Sequence, residues 1–442
     1  MQLSTFSFSV SPLFSFSAFS FSAFQFFNFQ LFSFSAFQLF ILSSKFLIVG
    51  AGFSGAVLAR ELAERLNARI EVIDQRDHLG GNCHTERDEP SGVMVHKYGP
   101  HIFNTSHDDV WQYINRFGEF RPFANRVKAA NQRGIFSFPI NLHTINQFFG
   151  ATFSPAEARA FIAKRADQSI ETPANFEEQA LKFVGRELYE TFFHGYTKKH
   201  WGCEPRELPA SILKRLPLRF NYDDNYYSTR HQAIPTEGYS AVIQRILDHP
   251  GIHITLNARW EPAMAAKFDH VFYSGPLDEL FASASGPLGY RTIHFERIDA
   301  TGDFQGNAVI NYTSEQTPWT RIHEHKHFAP WENLERTVAF REFSKETEPS
   351  EIPYYPKRLA ADLTLHTRYT HQLSTIPNVT PIGRLGTYRY LDMDQVIGEA
   401  LDLAEDTATA VAEKKPIPQH VRQRGKAEMR SGEKRKFGKA ES

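Results

Sequence analysis

A chain of 442 residues, 41% of them hydrophobic, can form two or three layers or lobes around a large buried ligand rather than one minimal core. Its 50 acids and 49 Lys/Arg nearly cancel to a net charge of −1, which excludes an overall field that would gather nucleic acid or anionic lipid. Cys83 and Cys203 could form one bridge at most, so a disulfide-stapled secreted scaffold is excluded and a reducing cytoplasm is the expected setting.

Residues 1–44 carry 14 of the 40 phenylalanines and no charge, and FSFSAF begins at Phe14, Phe19 and Phe32. There is no basic start as in a signal peptide, and serines interrupt the apolar run too often for a spanning helix, so no stable membrane insertion is expected. The stretch reads as a low-complexity, disordered extension foreign to the fold, as a misplaced start would produce; an interfacial or self-associating segment is the alternative, because Phe/Ser alternation can make an amphipathic, aggregation-prone strand.

From Lys45 the pattern is regular: an apolar run Phe46 to Val49, the turn Gly50-Ala51-Gly52-Phe53-Ser54-Gly55, a helical stretch Ala56 to Leu66, and a second apolar run Ile70 to Ile73 ending in Asp74. Strand, glycine turn, helix, strand and acid is the order of a dinucleotide-binding unit. Gly50 makes the tight turn, Gly52 lets the backbone approach a pyrophosphate, Gly55 lets the helix pack close to the strand, and the helix N-terminus offers unpaired N–H groups to the phosphates. Asp74 is placed to accept from a ribose hydroxyl. The following run, Asp74-Gln75-Arg76 to Gly80-Gly81-Asn82, resembles the second glycine signature of flavoproteins and favours FAD over NAD.

Several further blocks occur in order: HKYGPHIF (96–103), GYTKKHWG (195–202), KRLPLRF (214–220), FQGNAVIN (304–311), RIHEHKHF (321–328), PYYP (353–356) and GRLGTYRYLD (383–392). With them the chain resembles the bacterial UDP-galactopyranose mutase family over about residues 45–410. Asn104 stands where the family commonly has a second histidine, a position beside the flavin that bears on redox tuning; His200 replaces a glutamine and Leu391 an aromatic.

The resemblance implies an α/β fold: a discontinuous Rossmann-like FAD-binding domain (45–104, 221–290 and 359–412), a mainly helical substrate lobe (105–220) with a mobile loop at 204–219, and an antiparallel β-sheet substrate domain (291–358). The sequence agrees coarsely, with helical stretches from Ser154 to Gln168 and Asn175 to Gly185, strand-like alternation from Arg291 to Arg297, and a last helix from Asp394 to about Ala412. The prolines at 205, 209 and 217 mark the loop. After Ala412 a basic stretch, 413–442, reads as a disordered tail.

The implied activity interconverts UDP-galactopyranose and UDP-galactofuranose: N5 of reduced FAD attacks the sugar C1 as UDP departs, the ring opens and recloses, and UDP returns. The cofactor carries the covalent chemistry, so no protein nucleophile is expected. The implied cofactor residues are Gly50, Gly52, Phe53, Ser54, Gly55, Asp74, Gln75, Arg76, Gly81, Asn82, His101, Arg384, Asp392 and Met393. Those for substrate are Asn125, Phe192, Phe193, Tyr196, Thr197, Trp201, Arg215, Tyr226, Arg291, Arg321, Tyr355 and Tyr390. Tyr196 is the expected uracil platform, although aromatics at this spacing on a helix commonly form core, and Tyr226, Tyr355 and Tyr390 would donate hydroxyls to the diphosphate. The catalytic group is Arg215, Arg321 and His101, the two arginines clamping the diphosphate from opposite sides, where a planar fork grips phosphate oxygens and stabilises the growing charge.

His323, His325 and His327 alternate and would share a face on a strand, as zinc requires. No further cysteine or carboxylate ligand is arranged nearby and the segment lies in a family block that binds no metal, so no metal is expected. The family also implies a homodimer and a furanose donor for cell-surface polysaccharide. Two other functions fit the glycine signatures: an FAD-dependent amine or alcohol oxidase, and a non-catalytic nucleotide-sugar binding protein. Removing residues 1–44 should leave solubility and flavin content unchanged or improved; a truncated protein that purifies without flavin, by its absorbance spectrum, would make the extension part of the fold.

Overall fold

The structure is a computed structural model that describes residues 44–215 and 217–424, without the side chains of Ser211, Lys214 and Arg215. The expectations for residues 1–43 and 425–442 lie outside the described residues.

Four apolar runs that are far apart in sequence form one parallel sheet with a fifth strand. Its order is Ile252–Thr255, Arg69–Ile73, Lys45–Val49, His270–Tyr273, Val379–Pro381, and every pair is parallel. Such strands must be apolar on both faces, because helices cover both. Phe46 and Ile48 face a cluster shared with the helices Phe53–Leu66, Gly238–Leu247 and Met393–Ala412. Leu47 and Val49 face the opposite cluster, which holds Tyr369 and Leu373 of the helix Ala360–Leu373.

The second sheet has seven strands in the order Tyr355–Pro356, Tyr290–Thr301, Arg336–Glu346, Arg321–Glu324, Val309–Tyr312, Val127–Asn131, Gly134–Phe138. Between residues 290 and 356 the strands pair antiparallel, and the sheet extends beyond them where Val309–Tyr312 runs parallel to Val127–Asn131. The hairpin from Val127 to Phe138 comes from the stretch 105–220, and Phe120–Pro122 of the same stretch joins a further three-stranded sheet. The hairpin turns at Gly134, whose φ of +127° a side chain would resist.

The expected helices begin at their caps. Ser154 and Glu157 close a capping box at the start of Pro155–Arg165, and the Asn175 side chain accepts from the Glu178 N–H ahead of Phe176–Val184. A π-helix, Tyr189–His194, then runs into the helix Gly195–Trp201. At the other end the tail starts later than the charge pattern suggested. Residues 413–424 pack back: Thr380 Oγ1 donates to the Pro418 carbonyl at 2.6 Å, Arg422 pairs with Asp406 at 2.7 Å, and Arg424 reaches Asp402 at 2.5 Å and Asp109 at 2.6 Å. Arg422 and Arg424 here complement acids on the last helix, and Arg424 also reaches one on the helix Asp108–Ile114. No helix among the described residues is long and apolar enough to cross a membrane, and both cysteines are free thiols.

Several histidines are folded into the interior. Burial lowers His96 to about 3 and His270 to about 4; the like charges of His101 and His323 add to the effect at His96. His96 Nδ1 accepts from the His101 N–H at 3.1 Å, and His270 Nε2 lies 2.7 Å from Thr380 Oγ1. In the unfolded chain both would titrate near ~6.5. Below that pH the unfolded state takes up protons that the folded state refuses, so stability is complete above ~6.5 and is lost as pH falls toward the folded values. The urea midpoint should therefore drop between pH 7 and pH 5; equal midpoints would contradict the buried neutral state of these imidazoles.

Candidate active site

The glycine turns lie back to back. A Cβ on Gly50 would lie 2.0 Å from Ser274 Oγ, one on Gly55 would lie 2.0 Å from the Gly50 carbonyl, and one on Gly81 would lie 3.2 Å from the Gly52 Cα. Gly52 caps the helix Phe53–Leu66 without a side-chain bond, so the first N–H groups remain available. Asp74 is buried and accepts from the Ala51 N–H at 2.8 Å and the Arg76 N–H at 2.9 Å, which braces the loop and leaves lone pairs over. Arg76 donates to Asn82 Oδ1 at 2.7 Å and lies over the Tyr98 ring, while its Nη1 is buried without a partner. A glycine cradle, a free helix end and an orphaned guanidinium nitrogen suit a dinucleotide with its pyrophosphate at the turn. Ser54 is at the helix start, next to Gly383. Phe53 offers only its backbone, because its ring packs in the core against Tyr239, and Gln75 is exposed.

Three further segments converge beyond this cradle. His101 donates its N–H to His96, takes a hydroxyl bond from Tyr239 on its carbonyl, and is lowered to about 4 by burial, with the Arg384 charge second. Arg384 donates to the Leu391 carbonyl at 2.7 Å and stacks over Tyr390 and Tyr355 at 5.0 and 5.5 Å. Asp392 caps the helix that Met393 opens, its N–H bonded to Gln395 Oε1 at 3.1 Å. Tyr355 and Tyr390 stack at 5.6 Å with planes 8° apart, and the row continues through His200 to Tyr196. Tyr354, by contrast, turns toward Tyr98.

A cavity of about 100 Å³ opens beside that row. Its lining includes Phe192, Phe193, Tyr196, Thr197, Trp201 and Tyr226 from the expected set, and Asn311 and Thr313 from the sheet. The π-helix carries Phe192 and Phe193, a distortion frequent at functional sites, and the helix Gly195–Trp201 that follows carries Tyr196, Thr197 and Trp201. Phe192 also packs against Phe136 and Phe148, so it serves core and cavity together. Asn125 is buried with Oδ1 unpartnered.

Arg321 shows the strongest electrostatic design. Its Nε donates to Glu342 Oε2 at 2.7 Å, and the same carboxylate takes the Thr320 hydroxyl at 2.9 Å and lies 3.2 Å from His323 Nε2. Burial opposes both charges, yet each is stabilised: Glu342, with Tyr196 and Tyr355, raises Arg321 above its usual range, and Arg321 followed by His323 holds Glu342 well below the usual carboxylate range. Arg321 thus stays cationic, its outer nitrogens making no hydrogen bond among the described residues. Tyr355, raised to about 12 by burial, stays a hydroxyl donor.

Two expectations change. Arg291 is buried and used internally: Nη1 pairs with Glu346 at 2.8 Å, Nε donates to the His200 carbonyl at 3.1 Å, and Nη2 reaches the Lys199 carbonyl at 3.3 Å. It caps the C-terminus of the helix Gly195–Trp201. The three alternating histidines do not share a face, because the strand ends at Glu324 and His325–Phe328 is a 3₁₀ turn. Arg215 closes the short helix Ala210–Arg215, but its side chain lies outside the described residues. Sequence reasoning missed Glu342, Thr320 and His200. Only cross-strand register, which places Arg321 opposite Glu342, reveals the first.

Known proteins resemble this chain in sequence and in fold. The family model described as UDP-galactopyranose mutase matches residues 191–390, and that of an NAD(P)-binding Rossmann-like domain matches residues 48–117. The chain is 52% identical over 376 residues to a probable UDP-galactopyranose mutase of Klebsiella pneumoniae, covering 85% of this chain and 98% of that one. It is 48% identical to a dTDP-fucopyranose mutase of Escherichia coli, covering 82% of this chain and 98% of that one. A crystal structure of reduced UDP-galactopyranose mutase shares the fold with a TM-score of 0.66 at 15% identity, over 84% of this chain and 96% of that one. With half its residues shared along nearly the whole length of such a relative, the chain belongs to the UDP-galactopyranose mutase family, an isomerase family.

Proposed function

We propose that the chain interconverts UDP-galactopyranose and UDP-galactofuranose with reduced FAD. The observation that carries this reading is Arg321, a guanidinium kept charged among tyrosines by buried Glu342, beside an aromatic cavity and a dinucleotide cradle. When bound, reduced FAD would supply N5 as the nucleophile toward the sugar C1. Everything else falls to the chain's own residues. Gly50, Gly52, Gly81 and the free end of the helix Phe53–Leu66 would hold the pyrophosphate, with Arg76 and Asn82 alongside. His101, Arg384, Asp392 and Met393 would border the ring system.

Tyr196 would stack on uracil, with Asn125 and Thr197 as polar contacts and Phe193 and Trp201 as walls. Tyr226, Tyr355 and Tyr390 would donate hydroxyls to the diphosphate. Arg321 would grip it, and Arg215 would approach from the loop 204–219. The diphosphate gains charge as its bond to C1 breaks, so a fixed cation stabilises the transition state more than the ground state. A homodimer in the cytoplasm, making a furanose donor for cell-surface polysaccharide, completes the reading.

The Escherichia coli relative supports a second substrate, dTDP-fucopyranose. That substrate lacks the sugar 6-hydroxyl and the ribose 2′-hydroxyl and adds a methyl to the base, so the two differ where polar contacts discriminate most. Dithionite-reduced enzyme should convert UDP-galactofuranose without consuming reductant stoichiometrically, and faster per bound substrate than dTDP-fucofuranose. Arg321→Lys should lower turnover by roughly two or more powers of ten with FAD still bound. Preference for the deoxy substrate would change the substrate; no isomerisation of either would leave the oxidase or binding-protein reading.

A further inference from the structure

Lys199 lies on the same short helix as Tyr196 and Thr197, but it points away from the cavity they line. Its Nζ is surrounded by four backbone carbonyls, those of Tyr312 at 2.7 Å, Ser314 at 2.8 Å, Thr317 at 2.8 Å and Trp319 at 2.9 Å. The first closes the strand Val309–Tyr312, and the other three belong to the turn that leads from it to the strand Arg321–Glu324. No carboxylate pairs with Lys199 among the described residues, so the ammonium is held by converging carbonyl dipoles, as an alkali cation or ammonium ion would be.

We propose that Lys199 is a positioning residue that sets the distance between the base-binding and the diphosphate-binding halves of the site. The inference rests on the nucleotide-sugar reading above. The helix that carries Lys199 presents Tyr196 and Thr197, the expected base contacts. The segment it gathers runs from Tyr312 to Trp319; Asn311 and Thr313 at its start line the same cavity, and Thr320 and Arg321, which bond to Glu342, follow its end. One ammonium therefore joins the two elements that must grip opposite ends of one nucleotide.

Neighbouring contacts leave little slack. Thr313 Oγ1 donates to the Thr191 carbonyl at 2.7 Å, and a Cβ on Gly195 would lie 2.5 Å from the Thr313 carbonyl, so helix and turn touch backbone to backbone. Around Lys198 the ion pairs with Glu204 and Glu315 are exposed and contribute little. The ammonium has three N–H donors for these four carbonyls, so one bond is shared and the positive charge holds the converging dipoles together. Without it, four unpaired acceptors repel one another and must turn toward water, which opens the turn and shifts Arg321 relative to Tyr196.

The test is calorimetric titration of oxidised, flavin-loaded enzyme with UDP, which needs no turnover. Lys199→Met, similar in volume and uncharged, should keep its flavin and bind UDP about ten- to a hundredfold more weakly, the scale of a misplaced binding group. Lys199→Ala should lose affinity likewise and regain it with ammonium or methylammonium chloride, but not with tetramethylammonium chloride at equal ionic strength. Lys199→Met, whose side chain fills the cage, should not respond to either salt. Flavin-loaded variants with wild-type UDP affinity, or a Lys199→Ala protein that neither small cation restores, would overturn the positioning role. If Lys199→Ala does not retain flavin, Lys199→Met decides alone. Wild-type enzyme that binds no UDP would instead overturn the reading of function on which the inference rests.

Discussion

Keeping a guanidinium charged inside an aromatic site is the constraint around which the sheet domain is arranged. Arg321 is walled by tyrosines that would strip its water, and burial by itself would work against the charge. The Glu342 carboxylate answers it from the neighbouring strand, and that buried anion takes the Thr320 hydroxyl as a further partner, with the His323 ring 3.2 Å away. Removing the carboxylate would leave a guanidinium and a hydroxyl without their partner in a buried site. Because Glu342 holds the guanidinium by Nε, the planar fork stays fixed while its outer edge remains available.

The path of the chain makes this cluster meet the cofactor cradle. Pieces near residues 45–73, 252–273 and 379–412 build the parallel sheet and its helices, so the segments between them are excursions that must leave and return. The segment 383–392 shows the benefit. It starts at the end of the strand Val379–Pro381, carries Arg384 and Tyr390 to the aromatic row, and ends at the cap of the last helix. Residues that could bind a dinucleotide and residues that could bind substrate lie on one continuous stretch.

The fold alone does not select the chemistry. A putative protoporphyrinogen oxidase shares the architecture with a TM-score of 0.57 at 12% identity, and the glycine cradle suits either use. Near Tyr196 this chain carries an arginine held by a buried carboxylate and a tyrosine hydroxyl kept protonated by burial, and elsewhere a buried asparagine oxygen without a partner.

How much was legible in the sequence follows from the range of each interaction. The dinucleotide unit was readable because its parts are consecutive: Gly52, Gly55 and Gly81 answer contacts within the same strand-turn-helix unit or its paired turn, although Gly50 also makes room for distant Ser274, and the caps at Ser154 and Asn175 act on residues three positions on. The blocks that carried the family resemblance were readable too, since they are contiguous. Where several residues act together across strands, the sequence was silent or misleading. Glu342 looked like an ordinary strand residue until its register set it opposite Arg321. Arg291 was expected at the substrate, yet its guanidinium closes a helix end about ninety residues earlier in the chain. The alternation of His323, His325 and His327 promised a shared face that the chain abandons at Glu324, where the strand gives way to a 3₁₀ turn. Residues 413–424 read as solvated basic tail because the acids that hold them, Asp109, Asp402 and Asp406, lie on other elements. Short-range geometry and backbone conformation were determined by the sequence itself; which charges meet, and which lysine gathers which carbonyls, was decided only when distant strands and helices packed.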